Sequence, residues 1–255
     1  MGVGLADVDR NGRPDLFITN FHNESNALYL QQDENFFSDE CRSTRVRDIS
    51  QPMLGFGTQF LDIDANGWPD LVVTNGHVDD FTHQDTPYQM RPQLLRHSGT
   101  SSVSFTDQVP EKIGPYFGSK HLGRGLARID FNRDGLDDYG VSHLDSPFAL
   151  VRNETQQRGQ HVSIRLVATE TERTAIGAIV RVVTGEQTFS HQLSAGDGYM
   201  ASNERRLSVG IGKADSACTV EVEWMSGRKE SFGSVTPGSH VVLVEGTARA
   251  LAEPR

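Results

Sequence analysis

Asp7-Val-Asp9-Arg-Asn11-Gly12-Arg13-Pro-Asp15 decides how this chain reads, because the same nine-residue pattern returns twice. It recurs as Asp62-Ile-Asp64-Ala-Asn66-Gly67-Trp68-Pro-Asp70 and as Asp130-Phe-Asn132-Arg-Asp134-Gly135-Leu136-Asp-Asp138. Each copy sets oxygen-bearing side chains at positions 1, 3, 5 and 9, with glycine at position 6. Alternate residues of a tight loop can face one centre, and the glycine allows a turn where a side chain would clash. Four side-chain oxygens and one inward carbonyl form a hard, anionic cage, which suits calcium better than zinc or copper. The carbonyl falls to position 7. The expected ligands are Asp7, Asp9, Asn11, Arg13 and Asp15 in the first loop, and Asp62, Asp64, Asn66, Trp68 and Asp70 in the second. In the third they are Asp130, Asn132, Asp134, Leu136 and Asp138. A single copy reads equally well as a polar β-turn without metal, since Asp, Asn and Gly dominate turns. Three copies in one register favour calcium. The third is the weakest, because Asn132 replaces an Asp and no clean apolar run follows Asp138.

The first half of an EF-hand loop looks the same, but an EF-hand needs a bidentate Glu at position 12. Here that position holds Ile18, Val73 and Val141. The acid comes early, and short apolar runs follow at once, Leu-Phe-Ile-Thr after Asp15 and Leu-Val-Val-Thr after Asp70. Such runs read as strands, and so do the segments before each loop. The unit is strand, calcium loop, strand. Its surroundings repeat too. Asn26-Ala-Leu-Tyr-Leu parallels Pro92-Gln-Leu-Leu-Arg and Pro147-Phe-Ala-Leu-Val-Arg, and Asn35-Phe-Phe-Ser-Asp parallels Ser104-Phe-Thr-Asp. The loop starts lie 55 and 68 residues apart. A strand-and-turn unit of that size is the mark of a β-propeller blade or a related array.

These residues resemble the FG-GAP/VCBS repeats of integrin-α-like propellers. Gly55 to Asp80 is similar to the last repeats of proteins that carry an ASPIC/UnbV domain. The C-terminal third supports the resemblance through Ile176-Gly-Ala-Ile-Val-Arg-Val, Ser194-Ala-Gly-Asp-Gly-Tyr199, Leu207-Ser-Val-Gly-Ile-Gly212 and Val220-Glu-Val-Glu-Trp-Met-Ser-Gly-Arg228. Met225 departs from the proline that the family usually places in its Trp-Pro-Ser-Gly turn. The resemblance implies an all-β chain, with about three integrin-α-like propeller-type blades over residues 1–154 and an ASPIC/UnbV-like sandwich or barrel over 159–247. It is specific for fold and weak for function.

The 255 residues suffice for two cores. The formal charge is −10, and nine of the acids are the loop aspartates, so three bound calcium ions would offset six of the ten charges. Much of the acidity is therefore metal-site acidity. No basic run points to nucleic acid, and no stretch is long and apolar enough for a membrane helix. Cys41 and Cys218 lie in different halves and read as two separate thiols. No signal peptide opens the chain, since Met1-Gly-Val-Gly runs straight into the first loop. Weak calcium loops fit an extracellular, periplasmic or cell-surface setting, and three blades fall short of a closed propeller. The expectation is the C-terminal part of a longer chain with further N-terminal repeats, or else an open array whose edges pair with another chain.

Beyond the polar stretch Thr155–Gly159, seven short β segments run from His161 to Val244, separated by Gly-containing turns. Val222 and Trp224 alternate with Glu221 and Glu223, a half-buried strand pattern. There is no nucleophile elbow, no His-Glu-x-x-His and no Walker loop. His77, Asp79, Asp80 and His83 read as a polar loop, and Asp197 of Gly-Asp-Gly as a turn residue. The reading is a calcium-binding, non-enzymatic binding or adhesion module for protein or carbohydrate. The alternative is an enzyme or accessory protein of a natural-product or polysaccharide pathway.

Overall fold

The computed structural model describes residues 1–253. The chain is all-β and forms five small sheets in a propeller-type arrangement of repeats followed by a two-sheet unit. The first blade contains β1 (Val3–Ala6), β2 (Asp15–Ile18), β3 (Ala27–Asp33) and β4 (Phe36–Asp39). The second contains β5 (Gly55–Leu61), β6 (Asp70–Asn75), β7 (Gln93–His97) and β8 (Phe105–Asp107). The third contains β9 (Gly123–Ile129), β10 (Asp138–His143) and β11 (Ala149–Val151). Every blade is an antiparallel meander. The segment that lacks a clean apolar run after Asp138 nevertheless pairs as a strand, with Tyr139 opposite Arg128 and Val151. The third blade has three strands, and no copy of the Phe-x-Asp segment that forms β4 and β8 follows β11.

Blades pack face to face through period-2 apolar side chains. Phe17, Leu28 and Leu30 of the first meet Phe60, Leu71, Val73 and Leu95 of the second, with Phe17 edge-on to Phe60 at 6.2 Å. Leu61, Val72 and Leu94 of the second meet Leu126, Tyr139 and Val141 of the third. The first strands of the blades, β1, β5 and β9, lie side by side.

The remaining strands are β12 (Gln160–Val167), β13 (Ile179–Thr184), β14 (Gln187–Gln192), β15 (Leu207–Gly212), β16 (Cys218–Glu223), β17 (Lys229–Val235), β18 (His240–Val244) and β19 (Ala250–Ala252). They form two four-stranded sheets, ordered β15-β12-β18-β19 and β14-β13-β16-β17. One apolar cluster joins both inner faces, with Ile164, Val209 and Leu243 from one sheet and Val180, Val222 and Phe232 from the other. The unit is a β-sandwich, and Trp224 lies buried in it as the alternation predicts. The seven expected strands are present and β19 is an eighth. Cys41 and Cys218 are both free thiols.

The sandwich is seated on the blades by residues 194–206. Val3 and Gly198 form an antiparallel bridge. The Gln59 amide donates to the Asp197 carbonyl at 3.0 Å, and Asn203 Nδ2 donates to Gln59 Oε1 at 2.9 Å. The Arg128 N–H donates to Asn203 Oδ1 at 2.8 Å. Tyr199 stands edge-on to Phe56. One segment thus touches β1, β5 and β9 together, and Ser194–Tyr199, one of the stretches that carries the family resemblance, begins it.

Candidate metal centre

Each nine-residue loop connects the first two strands of its blade, so the hairpin fixes where the loop begins and ends. The three backbones match. Position 4 is left-handed in each, at φ +60° for Arg10, +53° for Ala65 and +58° for Arg133. Position 6 follows at +86°, +83° and +86° for Gly12, Gly67 and Gly135, which is why glycine recurs there. Position 5 locks the turn in each, since Asn11 Oδ1 accepts the Arg13 N–H at 2.8 Å, Asn66 Oδ1 the Trp68 N–H at 2.7 Å and Asp134 Oδ1 the Leu136 N–H at 3.0 Å. The position 9 carboxylate anchors the loop to its blade. Asp15 Oδ1 accepts the Gln31 N–H at 2.8 Å, Asp70 Oδ1 the His97 N–H at 2.8 Å and Asp138 Oδ1 the Asn153 N–H at 2.7 Å.

The carboxylates differ more than the backbones. Asp7, Asp9 and Asp15 offer oxygens that all lie within 4.8 Å of one another, and so do Asp62, Asp64 and Asp70. Asp130, Asp134 and Asp138 form no such cluster among the described residues. In that loop Asn132 Nδ2 donates to Asp134 Oδ2 at 2.9 Å, which ties up the oxygen on that side. Arg158 also stands 3.7 Å from Asp134 Oδ1.

Both convergent cages contain carboxylate oxygens that no hydrogen-bond donor among the described residues reaches. These are Asp7 Oδ1 in the first and Asp64 Oδ1 in the second, while Asp70 Oδ2 makes no hydrogen bond and has only the Arg96 guanidinium beside it, at 3.3 Å. A buried carboxylate without donors is costly to keep charged. Burial pushes Asp7 up to about 6, Asp15 to about 7, Asp62 to about 8 and Asp70 to about 7, although Asp15 and Asp62 accept backbone N–H groups on both oxygens. It raises Asp138 of the third loop to about 6 as well. A divalent cation at the centre would satisfy those oxygens and restore the charges. The donor set of three carboxylates and one amide oxygen is oxygen-only, as calcium requires. The residues of the first two loops therefore fit a calcium ion, and those of the third fit it less well.

Sequence reasoning missed three neighbours of these loops. Arg96 of β7 lies on the second cage, with Nη2 2.5 Å from Asp64 Oδ2 and Nη1 3.3 Å from Asp70 Oδ2. Arg10 of the first loop reaches across to the second, donating to the Gly67 carbonyl at 2.9 Å and the Asn66 carbonyl at 3.1 Å. Its guanidinium stacks over Trp68 at 3.7 Å and over Phe189 of the sandwich at 4.6 Å. The third neighbour is the sandwich itself. Gly159 donates to the Asp64 carbonyl at 2.7 Å and Gly212 to the Ala65 carbonyl at 3.0 Å. A side chain at Gly210 would collide with Asp62 and the Ala65 backbone. The polar stretch Thr155–Gly159 is therefore held against the second loop at its end. A basic residue on a neighbouring strand and a glycine in another unit leave no mark in the local loop pattern.

The polar loop around His77 stays apart from the cages. His77 is buried, with Nδ1 2.8 Å from the Asp79 carbonyl oxygen and its ring packed against Phe21, His22 and Phe81, while His83 is exposed. Asp197 accepts from Ser194 Oγ at 3.4 Å and from Asn203, as a turn residue would.

Comparison with known proteins agrees with this architecture. Residues 7–73 match the FG-GAP-like repeat family and residues 168–250 match the ASPIC and UnbV family. Cartilage acidic protein 1 of Mus musculus is 25% identical over 253 residues, covering 95% of this chain and 36% of that protein. The Homo sapiens protein of the same name is 25% identical over 241 residues, covering 90% and 33%. That of Xenopus tropicalis is 24% identical over 238 residues, covering 89% and 34%. The chain thus spans about a third of the length of these curated relatives.

Proposed function

We propose that this chain, which joins FG-GAP-like repeats to an ASPIC/UnbV domain, is a calcium-stabilised extracellular binding module. The observation that carries the reading is the convergence of three carboxylates in each of the first two loops, with buried oxygens left without donors. In this reading Asp7, Asp9, Asn11, Asp15 and the Arg13 carbonyl hold one ion, and Asp62, Asp64, Asn66, Asp70 and the Trp68 carbonyl hold another. The third loop, whose carboxylates form no such cluster among the described residues, is the weakest of the three and is not expected to fill in the unaltered chain. The ions fix the hairpins that carry the blades, and the loops face a sandwich that adds a second recognition surface. The relatives are named cartilage acidic proteins, which supports an extracellular or surface setting. No helix among the described residues is long and apolar enough to cross a membrane.

The partner in this reading is a protein or carbohydrate at a surface, and the role is adhesion and not catalysis. What supports it is the allocation of the acids, since the carboxylates that cluster among the described residues are those of the two cages. Arrays of matrix proteins and glycans, probed with the chain in calcium and in chelator, test the proposal. Calcium-dependent retention on a defined class of probe is expected. Binding that is indifferent to calcium, or turnover of a spotted glycan, would sink it.

A further inference from the structure

The first two cages share a backbone and a carboxylate set, yet a guanidinium lies on only one of them. Strand register makes the comparison position by position. Leu16 pairs with Tyr29, Leu71 with Leu95 and Tyr139 with Val151, so the next residues, Leu30, Arg96 and Arg152, are equivalent in the three blades. Leu30 is buried in the apolar core between the first two blades. Arg152 lies 3.6 Å from Glu154. Arg96 instead spans Asp64 and Asp70 of its own blade's loop. No lysine or arginine among the described residues pairs with Asp7, Asp9 or Asp15 at salt-bridge distance. The Arg96 side chain is three-quarters buried and Asp70 wholly so, so this pair is screened less than one in open water.

We propose that Arg96 is a tethered counter-cation of the second cage, and that it sets the calcium affinity of that cage below that of the first. The inference rests on the calcium reading above. Arg96 occupies Asp64 Oδ2 and leaves Asp64 Oδ1, buried and without a donor, to face an arriving ion. Arg10 acts on Asp62 and Asp7 and so on both cages, and the second cage keeps its ligand set but presents three carboxylates against the further fixed positive charge of Arg96. An arriving divalent ion meets less net negative charge than in the first loop, and it must share or displace the ion pairs already made. The guanidinium in turn lets the second loop keep its shape when calcium is scarce, at the junction where Gly159 and Gly212 of the sandwich bond to it. The two cages would then fill in order as calcium rises, with the first loop ahead of the second.

Trp68 supplies a reporter for the second cage, because it belongs to that loop and can sensitise the luminescence of terbium, a calcium substitute. The other tryptophan, Trp224, is buried in the sandwich core. Terbium titrations of the full chain, excited at the tryptophan edge, would be run on the Asp9→Ala background, which cripples the first loop. Arg96→Leu, which copies the first blade, should lower the half-saturating terbium concentration by about tenfold or more, the low end for one unit charge a few Å away. Arg96→Gln should do the same, and Arg96→Lys, which keeps the charge, should stay within about threefold of Arg96 on that argument. Should the leucine variant fail to fold, the glutamine and lysine pair carries the test. An unchanged midpoint in Arg96→Gln would reduce Arg96 to an ordinary ion pair and overturn the proposal. A weaker midpoint would make Arg96 a positioning residue for Asp64 and overturn it equally. If calorimetry finds metal in the first loop of the unaltered chain while the second stays silent with and without Arg96, the inference falls and the calcium reading stands. If no loop takes metal in any variant, both fall.

Discussion

The first and third loops follow nearly the same backbone path and have different chemistry. Arg10 and Arg133 are both left-handed, Gly12 and Gly135 turn at the same φ, and Asp15 and Asp138 both anchor to the neighbouring strand. Yet the acids of the first loop converge and those of the third do not. The exchange of Asn and Asp between positions 3 and 5 accounts for part of this, since the Asn amide bonds its Asp neighbour in both loops while the acids stand at positions 1, 3 and 9 in the first loop and 1, 5 and 9 in the third. The comparison separates two things that a motif merges. Glycine, the position 5 turn and the hairpin make the loop, and all three loops share them. Converging carboxylates with undonated oxygens make the site.

The largest effect should come from separating the regions altogether. A fragment of residues 159–253 contains the whole sandwich core and none of the loops. It should melt cooperatively, with a β-type circular dichroism spectrum that calcium leaves unchanged. The full chain should melt several degrees higher in calcium than in chelator. Each site filled at a hundred times its dissociation constant contributes about 2.7 kcal/mol to the folded state. An unfolded fragment would show that blades and sandwich share one cooperative core, and identical melts of the full chain would mean that metal does not hold the fold.

A smaller and sharper change is Asn132→Asp. It restores the position 3 acid and removes the amide that bonds Asp134. The third loop should then gain a calcium site, seen as an additional binding event in a calorimetric titration. No added event would show that the position of Asp138, or Arg158 near Asp134, keeps the loop closed to metal.

The smallest effect concerns the seat of the sandwich. Asn203→Ala leaves the Arg128 N–H and Gln59 Oε1 without their partner, a loss of about 1–3 kcal/mol for buried polar groups. Asn203 itself bonds to β5, β9 and Asp197 and to no residue of the first two loops, although its neighbour Glu204 holds Asp130 and Arg133 of the third. The affinity of the first two cages should therefore change by less than about twofold. A large loss of calcium binding would mean that sandwich and loops are coupled through residues 194–206.

Much of this architecture was legible because hairpin chemistry is local. The repeated Asp-x-Asp-x-Asn-Gly-x-Pro-Asp pattern marks the first two strands of the first two blades, and period-2 alternation such as Val222 and Trp224 against Glu221 and Glu223 marks a sandwich strand. Strand β10 was harder to see, because Asp138-Tyr139-Gly140 is short of apolar side chains and gains its place from pairing on both sides. Strand β19, only three residues long, is fixed by pairing with β18. The ligand pattern identified which acids share a loop, but not whether they converge, since that depends on which oxygen each backbone N–H takes. Arg96 was illegible for a related reason. It lies 26 residues beyond Asp70 in sequence and reaches the cage only through the β6–β7 register. The contact between Gly210 and Asp62 joins two units and has no local signature.

Calorimetric titration of chelator-treated full chain with calcium tests the central claim most directly. Two saturable events are expected, the tighter abolished by Asp7→Ala and the weaker by Asp64→Ala, with neither removed by Asp130→Asn. No heat of binding at millimolar calcium, or events that survive both Asp7→Ala and Asp64→Ala, would contradict the assignment of these loops as calcium sites.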